Sequence, residues 1–404
     1  MRCHLFKHML STRPSRAKEN KVMPEYQFFE LSLAALAASV IVSLLIVLSQ
    51  KWHGGLSHDH DLSGVQKVHT TAVPRIGGLA VVSGVVLGLL VFRKLNPALM
   101  DASRSTDIFL LLAAAVPAFA AGLIEDVTKR VSVRVRLTAT ALSAVVASAL
   151  LGATVNELDL WGVDTLLAFM PFAVLVTAVV VAGGSNAINI IDGFNGLSGS
   201  TIVIMAAGLA AVAFQNGDMF VTSLGALGIG ATIGFLALNY PRGKLFLGDG
   251  GAYFLGFWVS EMAVLLLVRN PAVNAWQVLA ICAYPVIEVL FSIYRRKVIQ
   301  GVSPGAPDAL HLHTLVFRRV VFKHVSKDAR RPWKRNAAVP CVIAPGVAAC
   351  VAVSATFGAS APVSFVIVLA QLAIYVAVYG RLVRGRWTSS ARINAELSAS
   401  AETQ

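Results

Sequence analysis

Charged residues are scarce in this chain. Asp, Glu, Lys and Arg make up 14% of its 404 residues, hydrophobic residues make up 56%, and the mean hydropathy is +0.71. Because a soluble globular domain carries about 25% charged residues, this composition excludes one. Apolar segments of about 20 residues recur along the whole length and leave no room for a large aqueous domain. The chain is therefore predicted to be an all-α integral membrane protein.

Cysteine and acidic residues are also few. The four cysteines show no Cys-x-x-Cys spacing, so neither a disulfide framework nor a zinc site is predicted. Acidic residues number 21 against 34 basic ones, which gives a formal net charge of +13. In a membrane protein, Lys and Arg collect in cytoplasmic loops, so we expect this excess to reflect topology and not a nucleic-acid partner.

Eleven apolar segments of spanning length are predicted, near Phe28–Ser49, Ile76–Phe92, Ile108–Ile124, Arg136–Thr154, Thr165–Gly183, Leu197–Phe214, Met219–Leu238, Tyr253–Val268, Ala275–Tyr294, Ala337–Phe357 and Pro362–Gly380. The polar motifs and most basic residues follow odd-numbered segments, so they share one face, which the positive-inside rule makes cytoplasmic together with the tail 381–404. The basic segment 1–27 falls on the opposite side by this count. Either Met23 is the true start, which we favour, or the count of spans is off by one. Residues 28–380 are expected to form one membrane domain that carries the site.

The most informative segment follows the fifth apolar run. It combines three carboxamides and a carboxylate, namely Asn186, Asn189, Asp192 and Asn195. Polar groups at the edge of a bilayer are costly without partners, so such a cluster indicates a functional site. Gly193 and Gly196 bracket Phe194 and Asn195 and allow a sharp turn close to a ligand.

Four further segments on the same face carry charged or ligating side chains: Lys67, Asp126 with Arg134 and Arg136 after it, Asp249, and His311 with His313. Each has an ordinary alternative, since Asp126 could form ion pairs within a solvated loop and Asp249 could cap a helix. The His-x-His pair has poor spacing for zinc. Together, carboxylates for a metal and cations for phosphates match phosphoryl transfer, which depends on positioning and charge neutralisation. A site at the bilayer surface predicts a lipidic substrate.

These motifs resemble the polyprenyl-phosphate N-acetylhexosamine-1-phosphate transferases of glycosyltransferase family 4. The resemblance runs from Lys67 to Arg319, and its most specific parts are the segments Asn186–Leu197 and Ser303–His313. Pro74-Arg-Ile-Gly-Gly departs from the MraY pattern, so the chain looks closest to WecA-type enzymes that initiate lipopolysaccharide O-antigen or another surface polysaccharide. The resemblance implies the plasma (inner) membrane of a bacterium, and it allows a homodimer.

The resemblance implies that undecaprenyl phosphate attacks the β-phosphorus of a UDP-N-acetyl sugar and releases UMP. Asp249 and Asn189 would hold Mg²⁺, or Mn²⁺ in its place, and Asp126 would deprotonate or orient the lipid phosphate. Asn195, with the backbone near Phe194, would read the uracil. The remaining assignments are Asp192, His311 and His313 as catalytic residues, and Asn186, Arg134, Arg136 and Lys67 as substrate-binding residues.

Some positions depart from the family pattern. Glu125 replaces the first aspartate of the usual pair, so it receives no direct role, and Asn195 replaces an aspartate, which makes it a poor metal ligand. Glu288 and Glu261 are acids within predicted spans; a supporting role is open to Glu288, and Glu261 is interpreted as structural. The alternative function is a secondary transporter with an ion site in a broken helix, which predicts polar motifs near the membrane midplane.

Overall fold

The computed structural model describes residues 25–57, 72–97, 102–303, 305, 308–325, 331 and 333–383. Its α-helices are α1 Glu25–Ser57, α2 Gly77–Leu95, α3 Ala102–Thr128, α4 Val133–Leu151, α5 Val163–Leu167, α6 Met170–Ile191, α7 Leu197–Gln215, α8 Met219–Asn239, α9 Gly248–Arg269, α10 Ala275–Ile281, α11 Ala283–Tyr294, α12 Leu312–Val316, α13 Phe322–His324, α14 Trp333–Phe357 and α15 Ala361–Val383. Two π-helical turns, Arg295–Ile299 and Phe317–Val321, follow α11 and α12.

Within these residues, 10 helices are long and apolar enough to cross a membrane. The pair formed by α10 and α11 with its π turn is bent by 85°, and counting it as one span gives 11. This confirms the predicted all-α membrane fold with about eleven spans. The ninth predicted span is therefore a broken helix and not a continuous one.

Small residues let the helices pack closely. A Cβ added at Gly88 of α2 would lie 2.5 Å from the Ala35 Cα of α1, and one at Gly230 of α8 would lie 2.0 Å from the Ser32 carbonyl oxygen. Side chains larger than hydrogen would separate these backbones, as is usual for helix interfaces in lipid. Helix α9 is the most enclosed span, because 78% of the residues in its most apolar stretch are buried. It therefore forms the centre of the bundle.

Two helix boundaries differ from the prediction in a way that matters for the site. Helix α6 continues to Ile191 instead of ending near Gly183, so Asn186 and Asn189 lie on its last turns and not in a loop. Their spacing of three residues puts both carboxamides on one helical face. Helix α9 begins at Gly248, so Asp249 belongs to its first turn. The two predicted boundaries are wrong because polar residues normally mark the end of a span. Here these polar side chains lie within the helices because they form hydrogen bonds and ion pairs with other helices.

Some predictions fall on residues outside the described ranges. Lys67 and Met23 are among them, as are the tail beyond Val383 and most of the basic segment 1–27. Their assignments stay predictions.

Candidate active site

The carboxylate of Asp126 caps α9 from another helix. Its two oxygens accept hydrogen bonds from the backbone N–H groups of Asp249 and Gly250, each at 2.8 Å, and the residue is 1% exposed. The first N–H groups of a helix have no partner within it, and its N-terminus favours a negative charge. Asp126 therefore fixes the position of the turn that presents Asp249.

This contact requires α3 and α9 to meet almost backbone to backbone. A Cβ at Gly122 of α3 would lie 2.6 Å from Gly250, and a Cβ at Gly78 of α2 would lie 2.4 Å from the Gly251 nitrogen. These approaches place the start of α9 directly against α2 and α3. Glycine is needed at these positions because a side chain would push the helices apart, and not because the backbone adopts a conformation that favours glycine.

Asp249 is the centre of the polar cluster. Its Oδ1 accepts a hydrogen bond from the Asn189 side-chain nitrogen at 3.1 Å and lies 3.4 Å from the Arg75 guanidinium. Its Oδ2 contacts the guanidinium of Arg136. The structure thus brings together the two predicted metal ligands and one predicted phosphate ligand, from α6, α9 and α4.

Arg75 was not assigned a role from the sequence. It contacts both Asp249 and, at 3.8 Å, Asp126. Its segment is held by backbone pairing, because Phe246 N–H donates to the Pro74 carbonyl and Gly77 N–H donates to the Phe246 carbonyl, both at 2.9 Å. The available signal was its place in a Pro-Arg-x-Gly-Gly string on the same face as the other motifs.

The two predicted arginines of α4 differ in environment. Arg136 lies over the Tyr253 ring, 5.6 Å from its centroid, and Tyr253 donates a hydrogen bond to the Asn186 side-chain oxygen at 3.2 Å. This chain links three of the polar segments. Arg134 is exposed, and the structure does not bring it to Asp249.

Asp192 directly follows the last residue of α6 and is half-buried. Its Oδ1 accepts a hydrogen bond from the Ser198 hydroxyl. Burial raises its pKa from 3.8 to about 6, against the opposing effects of the Ser198 hydrogen bond and of the Arg75 charge. The side chain is thus held near the point where protonation and ionisation balance at mildly acidic pH.

The turn after Asp192 is braced by two asparagines from distant helices. Asn336 of α14 accepts from the Asn195 N–H at 2.6 Å, and Asn239 of α8 accepts from the Gly196 N–H at 2.7 Å. The Asn195 side chain is buried and donates to the Pro241 carbonyl at 3.1 Å. Its uracil-reading role stays a prediction.

His313 faces the same turn from α12. Its ring lies edge-on to Phe194 with centroids 5.7 Å apart, and a Cβ at Gly193 would lie 3.4 Å from its Nε2. Phe194 is itself buried against Phe317, at 5.2 Å between ring centroids. Burial lowers the pKa of His313 from 6.5 to about 4, so the imidazole is neutral at physiological pH. It can donate a hydrogen bond at one nitrogen and accept one at the other, but it brings no charge of its own.

His311 is held between two carboxylates. Its Nδ1 lies 3.0 Å from Glu288 Oε1, and its Nε2 lies 3.6 Å from Asp308 Oδ2. The same Glu288 oxygen accepts the Leu312 N–H at 2.9 Å, and Asp308 also contacts Arg295. Glu288 was noted from the sequence only for a supporting role. The geometry links this acid of α11 directly to the His-x-His loop.

The donor set around Asp249 fits a magnesium ion completed by a substrate. Among the described residues, no group of three or more His, Cys, Asp or Glu side chains could hold a metal. Asp249 and Asn189 offer one carboxylate and one carboxamide, and Mg²⁺ is usually bound by one or two carboxylates with substrate phosphates supplying other oxygens. Arg75 and Arg136 lie beside them, where they could meet those phosphates.

Comparison with known proteins agrees with this picture. Residues 108–267 match the family model for glycosyl transferase family 4. The chain is 30% identical over 254 residues to a probable undecaprenyl-phosphate N-acetylglucosaminyl 1-phosphate transferase of Bacillus subtilis, covering 61% of this chain and 66% of the relative. An undecaprenyl-phosphate alpha-N-acetylglucosaminyl 1-phosphate transferase of Thermotoga maritima is 28% identical over 288 residues, covering 71% and 80%. The protein of the same name from Yersinia pestis is 27% identical over 267 residues, covering 64% and 69%.

The chain thus spans just under two thirds of the length of the Bacillus subtilis relative. The family match runs from within α3 to near the end of α9 and includes Asp126, Asn189 and Asp249. The resemblance inferred from the motifs, the membrane-spanning helices and these matches all lead to one assignment. Residues 108–267 match glycosyl transferase family 4, and the chain is similar to polyprenyl-phosphate N-acetylglucosamine 1-phosphate transferases.

Proposed function

We propose that this protein transfers an N-acetylhexosamine 1-phosphate from a UDP-sugar to undecaprenyl phosphate and releases UMP. The observation that carries the proposal is the cluster at the start of α9, where Asp249 meets Asn189, Arg75 and Arg136. It combines ligands for a divalent cation with cations for phosphates. The names of the relatives support N-acetylglucosamine as the first sugar to test.

The reaction is a substitution at the β-phosphorus of the UDP-sugar. An oxygen of the lipid phosphate forms a new bond to that phosphorus, and the bond from the phosphorus to the bridging oxygen of UMP breaks, with its electron pair leaving on UMP. No water, oxidant or reductant is consumed. Such transfers require in-line positioning and neutralisation of charge more than covalent chemistry by the protein.

Asp249 and Asn189 would hold Mg²⁺, which when bound would neutralise the diphosphate charge. Arg75 and Arg136 would bind phosphate oxygens through paired N–H groups, the geometry for which guanidinium is best suited. Asp126 would keep the α9 terminus in register, in addition to any contact it makes with the lipid phosphate. His313 would act as a neutral hydrogen-bonding group beside the turn at Gly193.

We further propose that the site faces the cytoplasm at the inner membrane of a bacterium and that the product initiates a surface polysaccharide such as O-antigen. Excess Lys and Arg in the loops on the site's face support the orientation. The WecA-like motifs support the pathway.

The transporter alternative has one feature in its favour, the 85° bend between α10 and α11. The cavity beside this bend, of about 250 Å³, is lined mainly by apolar side chains such as Val259, Val278 and Val286. An ion site in a broken helix needs polar ligands or free backbone oxygens at the break. The charged cluster instead lies at the ends of α3, α6 and α9, which supports the enzyme.

The test mixes purified protein with Mg²⁺, undecaprenyl phosphate and a panel of UDP-N-acetyl sugars, and measures UMP release and the lipid product. Asp249→Ala should lower turnover by at least about 10²–10³-fold at every Mg²⁺ concentration, which is the size of effect expected when one electrostatic contact to the reacting groups is lost. Glu157→Gln, an exposed acid in the loop between α4 and α5, is the matched control. Two results would refute the proposal. One is a wild-type protein that shows no lipid-dependent UMP release with any UDP-sugar, and the other is an active Asp249→Ala variant.

A further inference from the structure

Asn336 is a buried polar residue in a part of the chain to which no role has been attached. It lies in the first turns of α14 and is 1% exposed. The family match ends at residue 267, well before this helix. Its side-chain oxygen nevertheless reaches the Asn195 N–H at 2.6 Å, across 141 residues of sequence.

The contact belongs to a paired arrangement. Asn239 of α8 accepts the N–H of Gly196, and Asn336 of α14 accepts the N–H of the preceding Asn195. Gly196 has φ +82°, so the chain turns sharply here and α7 starts only at Leu197. Backbone N–H groups buried in a turn need partners from elsewhere. Two asparagines from separate helices supply them for consecutive residues.

Helix α14 also holds the neighbouring turn that receives the Asn195 side chain. The guanidinium of Arg242 lies 5.8 Å from the centroid of the Trp333 ring, and the Tyr240 hydroxyl lies 3.2 Å from the Cys341 sulfur. Pro241, between them, accepts the Asn195 side-chain hydrogen bond. The start of α14 thus contacts both surfaces that fix Asn195, its backbone through Asn336 and its side chain through the 240–242 turn.

We propose that Asn336 is a positioning residue for the nucleotide part of the UDP-sugar, acting through the backbone of the turn Gly193–Gly196. The inference rests on the proposed function and on the prediction that Asn195 reads the uracil. Asn336 touches no substrate in this scheme. By fixing the amide of Asn195, it sets where that residue's backbone and side chain are presented.

The proposal separates nucleotide binding from the chemical step. Asp249 and its partners lie at the start of α9, whereas Asn336 acts on the turn between α6 and α7. Loss of the Asn336 oxygen leaves a buried donor without its partner, which is the costly way to lose a hydrogen bond. The affected quantity should be the KM for UDP-sugar, with little change in the KM for undecaprenyl phosphate.

The experiment compares Asn336→Leu, which removes the acceptor, with Asn336→Asp, which keeps an acceptor oxygen at the same place. We expect Asn336→Leu to raise the KM for UDP-sugar about tenfold, with a smaller effect on kcat, and Asn336→Asp to restore most of the affinity. Hydrogen–deuterium exchange of peptides covering residues 193–197 gives a readout independent of turnover. Exchange there should accelerate in Asn336→Leu and not in Asn336→Asp.

Asn274→Leu is the matched control. Asn274 also joins two distant segments, accepting from Gln277 N–H at 2.8 Å and donating to the Gly358 carbonyl at 2.9 Å, but it lies at the start of α10. If it raises the KM for UDP-sugar as much as Asn336→Leu does, general loosening explains the effect and the proposal fails.

The remaining outcomes distinguish this inference from the proposed function. A wild-type protein that turns over a UDP-sugar, with an Asn336→Leu variant of unchanged KM and unchanged exchange, overturns the role of Asn336 alone. A wild-type protein that neither binds nor turns over any UDP-sugar overturns the proposed function, and the nucleotide role of Asn336 with it. Faster exchange together with a selective rise in the KM for UDP-sugar supports the inference.

Discussion

The carboxylate of Asp126 binds Asp249 through the backbone N–H of that residue and not through its side chain. Asp126 Oδ1 accepts the Asp249 N–H at 2.8 Å, while the Asp249 side chain points to Asn189 and Arg136. The partial positive charge of the helix terminus and the guanidinium of Arg75, which contacts both side chains, offset the repulsion between the two acids. The first acid orients the segment that presents the second.

We therefore expect Asp126→Asn to impair the protein in two ways. The amide has only one acceptor oxygen and no charge, so one of the two α9 N–H groups loses its partner at a cost of about 1–3 kcal/mol. The thermal unfolding midpoint should fall, and the Mg²⁺ concentration needed for half-maximal turnover should rise because Asp249 is displaced.

Glu125→Gln is the neighbouring control, since the side chain of Glu125 accepts a hydrogen bond from the Val131 N–H, at 2.6 Å, and a glutamine oxygen can accept the same bond. It should retain both the midpoint and the Mg²⁺ dependence. An Asp126→Asn protein that is inactive but unfolds at the wild-type temperature would show that Asp126 acts on the substrate alone.

The structure separates Arg136 from Arg134. Arg136→Ala should raise the KM for UDP-sugar roughly 10–100-fold, as expected for loss of a partly buried charge-assisted contact. Arg134→Ala should have a clearly smaller effect, because its side chain is exposed and away from Asp249. Steady-state kinetics of the two variants at fixed lipid concentration measure this difference. Equal effects would mean that Arg134 moves into the site with substrate.

Much of this architecture could be predicted from the sequence. Hydropathy predicts the number of spans, and the common face of the motifs follows from counting them. The structure places Asn189 beside Asp249, as their predicted binding of one metal ion requires, and the metal itself stays a prediction. Arg75 has no predicted role, because a single arginine near two glycines shows no distinctive sequence periodicity. Its place in the site depends on the backbone pairing of its segment with Phe246, which is far away in the sequence.

The two histidines show a second limit of prediction from the sequence. Their spacing gives His311 and His313 the same appearance, yet His311 is enclosed by Glu288 and Asp308 while His313 faces Gly193. Environment depends on contacts between residues far apart in sequence, which periodicity does not report. The bend between α10 and α11 was missed for the same reason, since its apolar residues suit a straight span equally well.

Glu288 and Glu261 provide a matched pair of buried intramembrane acids. Glu288→Ala should lower kcat and stability, because it leaves both His311 and the Leu312 N–H without their acceptor. Glu261→Gln should retain activity near the wild-type value, since its two oxygens have no hydrogen-bond partner to lose within the described part of the chain. Measurements of turnover and of thermal unfolding for both variants test this difference. A fully active Glu288→Ala would assign the acid to packing.

Burial of His313 makes the fold sensitive to acid. Its pKa falls from 6.5 to about 4 on folding, chiefly through burial and despite the nearby carboxylate of Glu288. A depressed histidine pKa means that the unfolded chain binds the proton first. The contribution of this residue to stability is therefore complete above pH 6.5 and is lost as the pH falls toward 4, by up to about 3 kcal/mol.

The difference in stability between the wild type and His313→Asn should accordingly shrink as the pH is lowered from about 7 to about 4.5, measured by thermal unfolding in detergent. His324→Gln, at an exposed histidine of α13, is the control and should leave the pH dependence of the wild type unchanged. A constant difference across this range would mean that His313 is not buried as the neutral form. In that case it would be available as a cation for substrate phosphates.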